Sequence, residues 1–179
     1  MPRYAALLRG INVGKAKAVA MADLRELLAG LGYEDVQTLL RSGNAVFSAP
    51  RARPEKLERA IETAIDKQLG MDVSCLVRTD AELSAAIAAD PFGERATNGS
   101  RYLALFLSKA PDPKLLAAHD PTELAPDEIR LGERVIYQWC PDGFLEAPSL
   151  GPFVEKHLKV RATGRNWNTV MKLSELLGT

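Results

Sequence analysis

Two apolar stripes at helical spacing, each bracketed by runs of strand length, constrain this chain more than any other feature. In the first stripe Leu24, Leu27, Leu28 and Leu31 repeat at i, i+3, i+4 and i+7, and Gly32 follows as a stop. In the second, Leu57, Ala60, Ile61, Ala64, Ile65 and Gln68 mark one face, with Pro54 suited to the first turn and Gly70 to the end. Around them lie apolar or alternating runs at 3–9, 36–41, 45–49 and 72–78, the middle two separated by Ser42-Gly43-Asn44. The order is β-α-β-β-α-β, which predicts a ferredoxin-like antiparallel sheet with helices on one face.

The second half partly repeats this order. Thr79-Asp80-Ala81-Glu82 reads as a capping box opening a short helix that ends before Asp90-Pro91. Residues 102–107 form a strand pattern and 113–118 a short helix. Residues 128–131 and 134–139 read as a hairpin around Gly132-Glu133, followed by a Pro141-Asp142-Gly143 turn. Helices are expected at 152–160 and 166–177. The fold class is therefore α+β: a ferredoxin-like subdomain over residues 1–78, a connection over 79–100, and a second, related α+β subdomain over 101–179.

Charge narrows the function. Lys plus Arg and Asp plus Glu number 23 each, so no overall positive field exists to hold a polyanion, which argues against a nucleic-acid partner. The distribution is uneven: residues 1–20 carry Arg3, Arg9, Lys15 and Lys17 with no acid, while 79–150 hold 6 basic and 12 acidic groups. A basic first segment biases its surroundings toward anions. The apolar run Ala5–Leu8 stops at Arg9, too short for a signal peptide or a membrane span. The two cysteines, Cys75 and Cys140, are too few for a disulfide framework, so a cytoplasmic setting is expected. Cys75 falls on the apolar side of its strand and Cys140 at the more accessible edge of a turn. His119 and His157 read as surface residues, and no His/Cys/carboxylate spacing suggests a metal or another cofactor. The sequence carries no signal for an oligomeric state.

Three separated motifs carry a family resemblance. They are Leu7-Leu8-Arg9-Gly10-Ile11-Asn12-Val13-Gly14, Ser42-Gly43-Asn44-Ala45-Val46-Phe47, and Thr163-Gly164-Arg165-Asn166-Trp167-Asn168-Thr169-Val170. In this order the chain resembles, essentially end to end, the family catalogued as domain of unknown function 1697. The resemblance implies a bacterial cytoplasmic protein with a duplicated α+β fold, and it implies no activity. The chain departs from the family pattern at Lys15, where a second glycine is common, and at Ala18, where a basic residue is common. Both departures weaken the case for a backbone anion nest after Gly14.

Topology points to one candidate site. In this fold the first and second strands run parallel with the third antiparallel between them. The loop after strand one and the turn after strand two therefore share one edge of the sheet. Arg9, Asn12, Arg41, Ser42 and Asn44 are expected to converge there, with Arg165 and Asn168 joining if the last helix docks nearby. Guanidinium and amide groups at a glycine-bearing loop suit a phosphate, nucleotide or carboxylate. Asn12, Asn44 and Asn166 are equally suited to be turn formers or helix caps, and Trp167, Val170, Met171 and Ser174 to be core. Gly10–Ala16 resembles a P-loop but has one residue too few between its glycines and lacks the Ser/Thr for magnesium. An RNA-binding sheet needs clustered strand aromatics, and the first three strands carry only Tyr4 and Phe47. The expected function is a binding module for a small anionic ligand. The alternatives are an enzyme acting on a small anionic substrate, and an RNA-binding or protein-interaction module.

Overall fold

The computed structural model describes residues 1–12 and 17–178. The chain divides into two compact units, Met1–Leu83 with Leu173–Thr179, and Ser84–Lys172.

In the first unit β1 (Arg3–Arg9), α1 (Met21–Gly30), β2 (Glu34–Leu39), β3 (Asn44–Ser48), α2 (Pro54–Leu69) and β4 (Ser74–Thr79) follow the expected order. The strands form one antiparallel sheet ordered β2-β3-β1-β4, the ferredoxin-like arrangement. Alternation decides the packing. Tyr4, Ala6 and Leu8 of β1, Ala45 and Phe47 of β3, and Cys75 and Val77 of β4 share one core with Leu24, Leu27 and Leu28 of α1 and Ile61 and Ile65 of α2. The intervening residues Ala5, Leu7, Val46 and Leu76 point to the other face and are also buried. Pro54 stands in the first turn of α2, and Gly70 ends the helix at φ 65°.

α3 (Asp80–Ala88) begins in the first unit and ends in the second, which holds β5 (Tyr102–Leu107), α4 (Pro113–Ala118), β6 (Ile129–Leu131), β7 (Val135–Trp139), α5 (Leu150–Phe153) and β8 (Ala162–Asn166); α6 (Trp167–Gly178) begins in the second unit and ends in the first. The sheet order β6-β7-β5-β8 repeats that of the first unit. The repetition extends to register. The Leu8 N–H donates to the Gly43 carbonyl at 2.8 Å, and the Leu107 N–H to the Arg134 carbonyl at 2.9 Å. Counting back from these bonds, Ala5 lies opposite Arg78 and Ala104 opposite Arg165. The next residue in each case caps a helix. Thr79 and Glu82 exchange hydrogen bonds of 2.9 and 3.0 Å, the reciprocal capping box read in the sequence, and the Asn166 Oδ1 accepts the Thr169 N–H at 2.9 Å.

Several expectations for the second half are corrected. Residues 162–166 form a strand where a loop leading into a helix was expected. Their strand state comes from pairing with β5, since Gly164 and Asn166 have low intrinsic preference for it. The expected helix at 152–160 is α5 followed by a π-helical turn, Val154–Leu158, which stops at Lys159 with φ 58°. Cys140 is buried, with 1% exposure: its N–H bonds the Arg101 carbonyl, one step beyond the Tyr102–Trp139 pair that ends the β5–β7 ladder. Met171 is 45% exposed while Val170 is buried, so the core stripe of α6 runs through Val170, Leu173 and Leu177.

Candidate functional site: the loop edge of the first sheet

The site begins where β1 leaves the sheet. Arg9 is exposed at the last pairing position, opposite Ser74. Three residues on, Asn12 adopts the left-handed conformation at φ 55°, and its side chain ties three segments together. The Nδ2 donates to the Val19 carbonyl at 2.9 Å and to the Arg41 carbonyl at 2.7 Å, while the Oδ1 accepts the Val19 N–H at 2.9 Å. The Asn12 N–H also donates to the Lys17 carbonyl at 3.0 Å. Both amide protons and the amide oxygen thus serve the backbone, so Asn12 is a staple between the loop after β1 and the turn after β2.

The β2–β3 turn is locked from its other side. Gly43, at φ 93°, accepts the Leu8 N–H, and a Cβ there would lie 2.7 Å from the Ile11 side chain and 2.8 Å from that of Leu8. Only glycine permits this approach. Asn44 is the first residue of β3 and is fully buried. Its Nδ2 donates to the Leu39 carbonyl at 2.8 Å and to the Ser42 Oγ at 3.0 Å. Leu40, Arg41 and Ser42 stand out between these anchors, all exposed.

The same edge concentrates strained backbone. Of the six described non-glycine residues with positive φ, Asn12, Lys17 and Leu40 belong to this edge. At Leu40 the branched aliphatic side chain gains no local hydrogen bond in that conformation, and it remains 54% exposed. Such strain persists only where surrounding bonds over-determine the backbone, and it clusters at functional sites. Lys17 adds a third cation and donates from Nζ to the Asp72 carbonyl at 2.6 Å.

The sequence-derived residues therefore separate into groups. Arg9, Asn12, Ser42 and Asn44 lie on two adjoining loops of the first unit. Arg165 and Asn168 belong to the second unit. Arg165 is buried in β8 and donates to the Gly164 carbonyl at 2.8 Å, and exposed Asn168 packs its amide against Gly99. Val13, Gly14, Lys15 and Ala16, which carry the P-loop-like spacing and the question of a backbone nest, lie outside the described residues. Sequence reasoning passed over Lys17 and Leu40, because nothing in residue type signals a left-handed backbone at lysine or leucine. Among the described residues no group of three or more His, Cys, Asp or Glu side chains is arranged to hold a metal.

Outside this edge the thiols are inert in character. Cys75 is buried. Burial, and then the Glu128 charge, push the Cys140 thiol up to about 11. The histidines are also not independent surface groups, since the His119 and His157 rings stack with centroids 4.5 Å apart.

A family model described as a protein of unknown function (DUF1697) matches residues 1–137. The chain belongs to the DUF1697 family. This DUF1697 protein shares its fold with a conserved bacterial protein, SP0830 from Streptococcus pneumoniae. The likeness has a TM-score of 0.68 at 23% sequence identity and covers 98% of each chain. No curated protein matches. The structural likeness agrees with a two-unit α+β architecture, and neither comparison specifies an activity. No helix among the described residues is long and apolar enough to cross a membrane.

Proposed function

We propose that this DUF1697 protein is a binding module for a small anionic ligand, of phosphate or carboxylate type, at the loop edge of its first sheet. The observation that carries the reading is the Asn12 staple. By bonding the Arg41 carbonyl at 2.7 Å it holds the β2–β3 turn beside the exit of β1. The exposed Arg9, Arg41 and Ser42 thereby lie on two adjoining segments. Guanidinium groups are the side chains best matched to the planar oxygen pairs of phosphates and carboxylates. In this reading Arg9, Arg41 and Ser42 contact the ligand, and Asn12 and Asn44 are positioning residues. Tyr4 and Phe47 lie in the core beneath the helices, which leaves an RNA-binding reading without a stacking platform on these strands. A cytoplasmic setting is part of the same proposal, supported by two buried cysteines that are not joined in a disulfide.

A melting-temperature screen with inorganic phosphate, sugar phosphates, nucleotides and dicarboxylates tests the proposal, because any ligand that binds the native state raises the transition. Arg9→Ala and Arg41→Ala are expected to abolish the shift and to change ligand-free stability by no more than about 0.5 kcal/mol, as exposed substitutions usually do. Asn12→Ala is expected to cost about 1–3 kcal/mol without ligand, since it strands backbone groups of two loops. A large loss of ligand-free stability in both arginine variants, with no ligand raising the wild-type transition, would show that this edge is purely structural.

A further inference from the structure

The chain has two histidines, and they stack on each other. His119 closes α4, its N–H donating to the Leu115 carbonyl at 2.8 Å. His157 lies in the π-helical turn Val154–Leu158. The two rings are 4.5 Å apart and within 27° of parallel, and Phe153 lies 4.7 Å from His157. π-Helical turns are rare and recur at functional positions. We propose that this histidine pair is a proton-operated clasp: with both rings neutral it joins the end of α4 to the π turn, and double protonation opens it.

The charged groups around the pair favour this behaviour. Lys156 and Lys159 flank His157 on its own element, and α4 contributes Lys114. The nearby carboxylates are engaged with backbone elsewhere. Asp112 accepts the Lys114 N–H at 2.8 Å, Asp120 accepts the Thr122 N–H and hydroxyl at 3.0 and 2.8 Å, and Glu155 accepts the Ala162 N–H at 3.2 Å. Among the described residues neither imidazole has a carboxylate partner. Burial first, then His119, Lys156 and Lys159, hold the His157 imidazolium below its ordinary range. A base whose proton affinity is lowered by folding stabilises the native state fully above its ordinary titration point. That stability is lost as pH falls through the ordinary histidine value of about 6.5 and below. Once one ring is charged, the second proton must be placed against a cation in ring contact. A proton on one ring therefore opposes a proton on the other.

The experiment uses the full chain, with imidazole NMR titration and amide hydrogen exchange between pH 8 and 5. Expected are two resolved histidine steps in the wild type. Exchange over residues 113–119 and 154–158 should accelerate beyond the intrinsic pH effect as the second step is passed. His119→Gln or His157→Gln should leave a single step at higher pH than the lower wild-type one. Should either glutamine variant fail to fold, His119→Phe keeps a neutral ring in the stack, and it is expected to remove the pH-linked loosening while preserving the fold. Two coincident titrations near pH 6.5 in the wild type would overturn the proposal. So would loosening of these segments that persists unchanged in the His119→Phe/His157→Phe double variant.

Discussion

At the scale of single residues, one structural station occurs twice with different occupants. α2 ends on Gly70 at φ 65°, ψ 28°, and the π turn after α5 ends on Lys159 at φ 58°, ψ 33°. Left-handed backbone costs an L-residue roughly 1–2 kcal/mol, part of which glycine gives back through its freer unfolded chain. A Cβ at Gly70 would meet nothing within 4 Å, so a substitution there reports backbone strain alone. Gly70→Ala is expected to destabilise by about 1 kcal/mol and Lys159→Gly to stabilise by a similar amount, both measured by denaturant unfolding. If Lys159→Gly lowers stability, the lysine makes contacts that outweigh its strain. The asparagines show the limit of reading at this scale. Asn12 and Asn44 are the residue types that a ligand site would use, yet their amides bond the Arg41, Val19 and Leu39 carbonyls. An amide stitching loops together and an amide awaiting a ligand are the same letter in a sequence.

At the scale of elements, both sheets end on an outer strand whose backbone is met by helix carboxylates. Glu58 and Glu62 of α2 accept the N–H groups of Val77 and Cys75 at 3.0 and 3.1 Å, and Glu155 accepts that of Ala162 at 3.2 Å. By register Cys75 and Ala162 occupy corresponding positions, so the device recurs in both units. An uncovered strand edge is a template for pairing with another chain, and a carboxylate seated on it blocks that pairing. Glu58 is itself buried. Glu58→Ala should therefore leave the Val77 N–H without its acceptor and cost about 1–3 kcal/mol in equilibrium unfolding. A loss below about 0.5 kcal/mol, the range of ordinary surface changes, would mean that water replaces the carboxylate and that the edge is open. Elements with strong local signals were legible: β5 and α4 fall at the expected residues, and the first-unit strands within about two residues of expectation, the usual uncertainty of element ends. β8 was not legible, because Ala162-Thr163-Gly164-Arg165-Asn166 becomes a strand only through its ladder with β5. The π turn left no trace in side-chain spacing either.

At the scale of the whole molecule, the repeat was legible as element order in the first half and only partly in the second, where its surest mark, the paired register of Ala5–Arg78 and Ala104–Arg165, needs coordinates to see. One consequence of the buried cores is global. Burial, then Glu128, lift the Cys140 thiol to about 11. Burial, then the Asp90 charge, lift Tyr137 to about 12. Burial, then its 2.5 Å hydrogen bond to Asp90, raise Tyr102 further, and burial with the Cys75 charge raises Tyr33. In the unfolded chain the thiol ionises near 9.0 and the phenols near 10.0. Above pH 9 the unfolded chain therefore loses protons that the folded chain keeps. These groups contribute their full stabilisation below pH 9, and it drains away as pH rises toward 11–12. Melting temperature is expected to stay level between pH 7.5 and 8.5 and then to fall steadily. Cys140→Ala should remove the earliest part of the fall. Native tyrosinate absorbance at about 295 nm should appear later in pH than that of the chain in denaturant, as raised phenol values require. With its thiol raised by burial, native Cys140 should react with a disulfide reagent at pH 8 far more slowly than the denatured chain. A melting temperature level to pH 11, or native and denatured tyrosines titrating together, would mean that these side chains reach water in the folded protein.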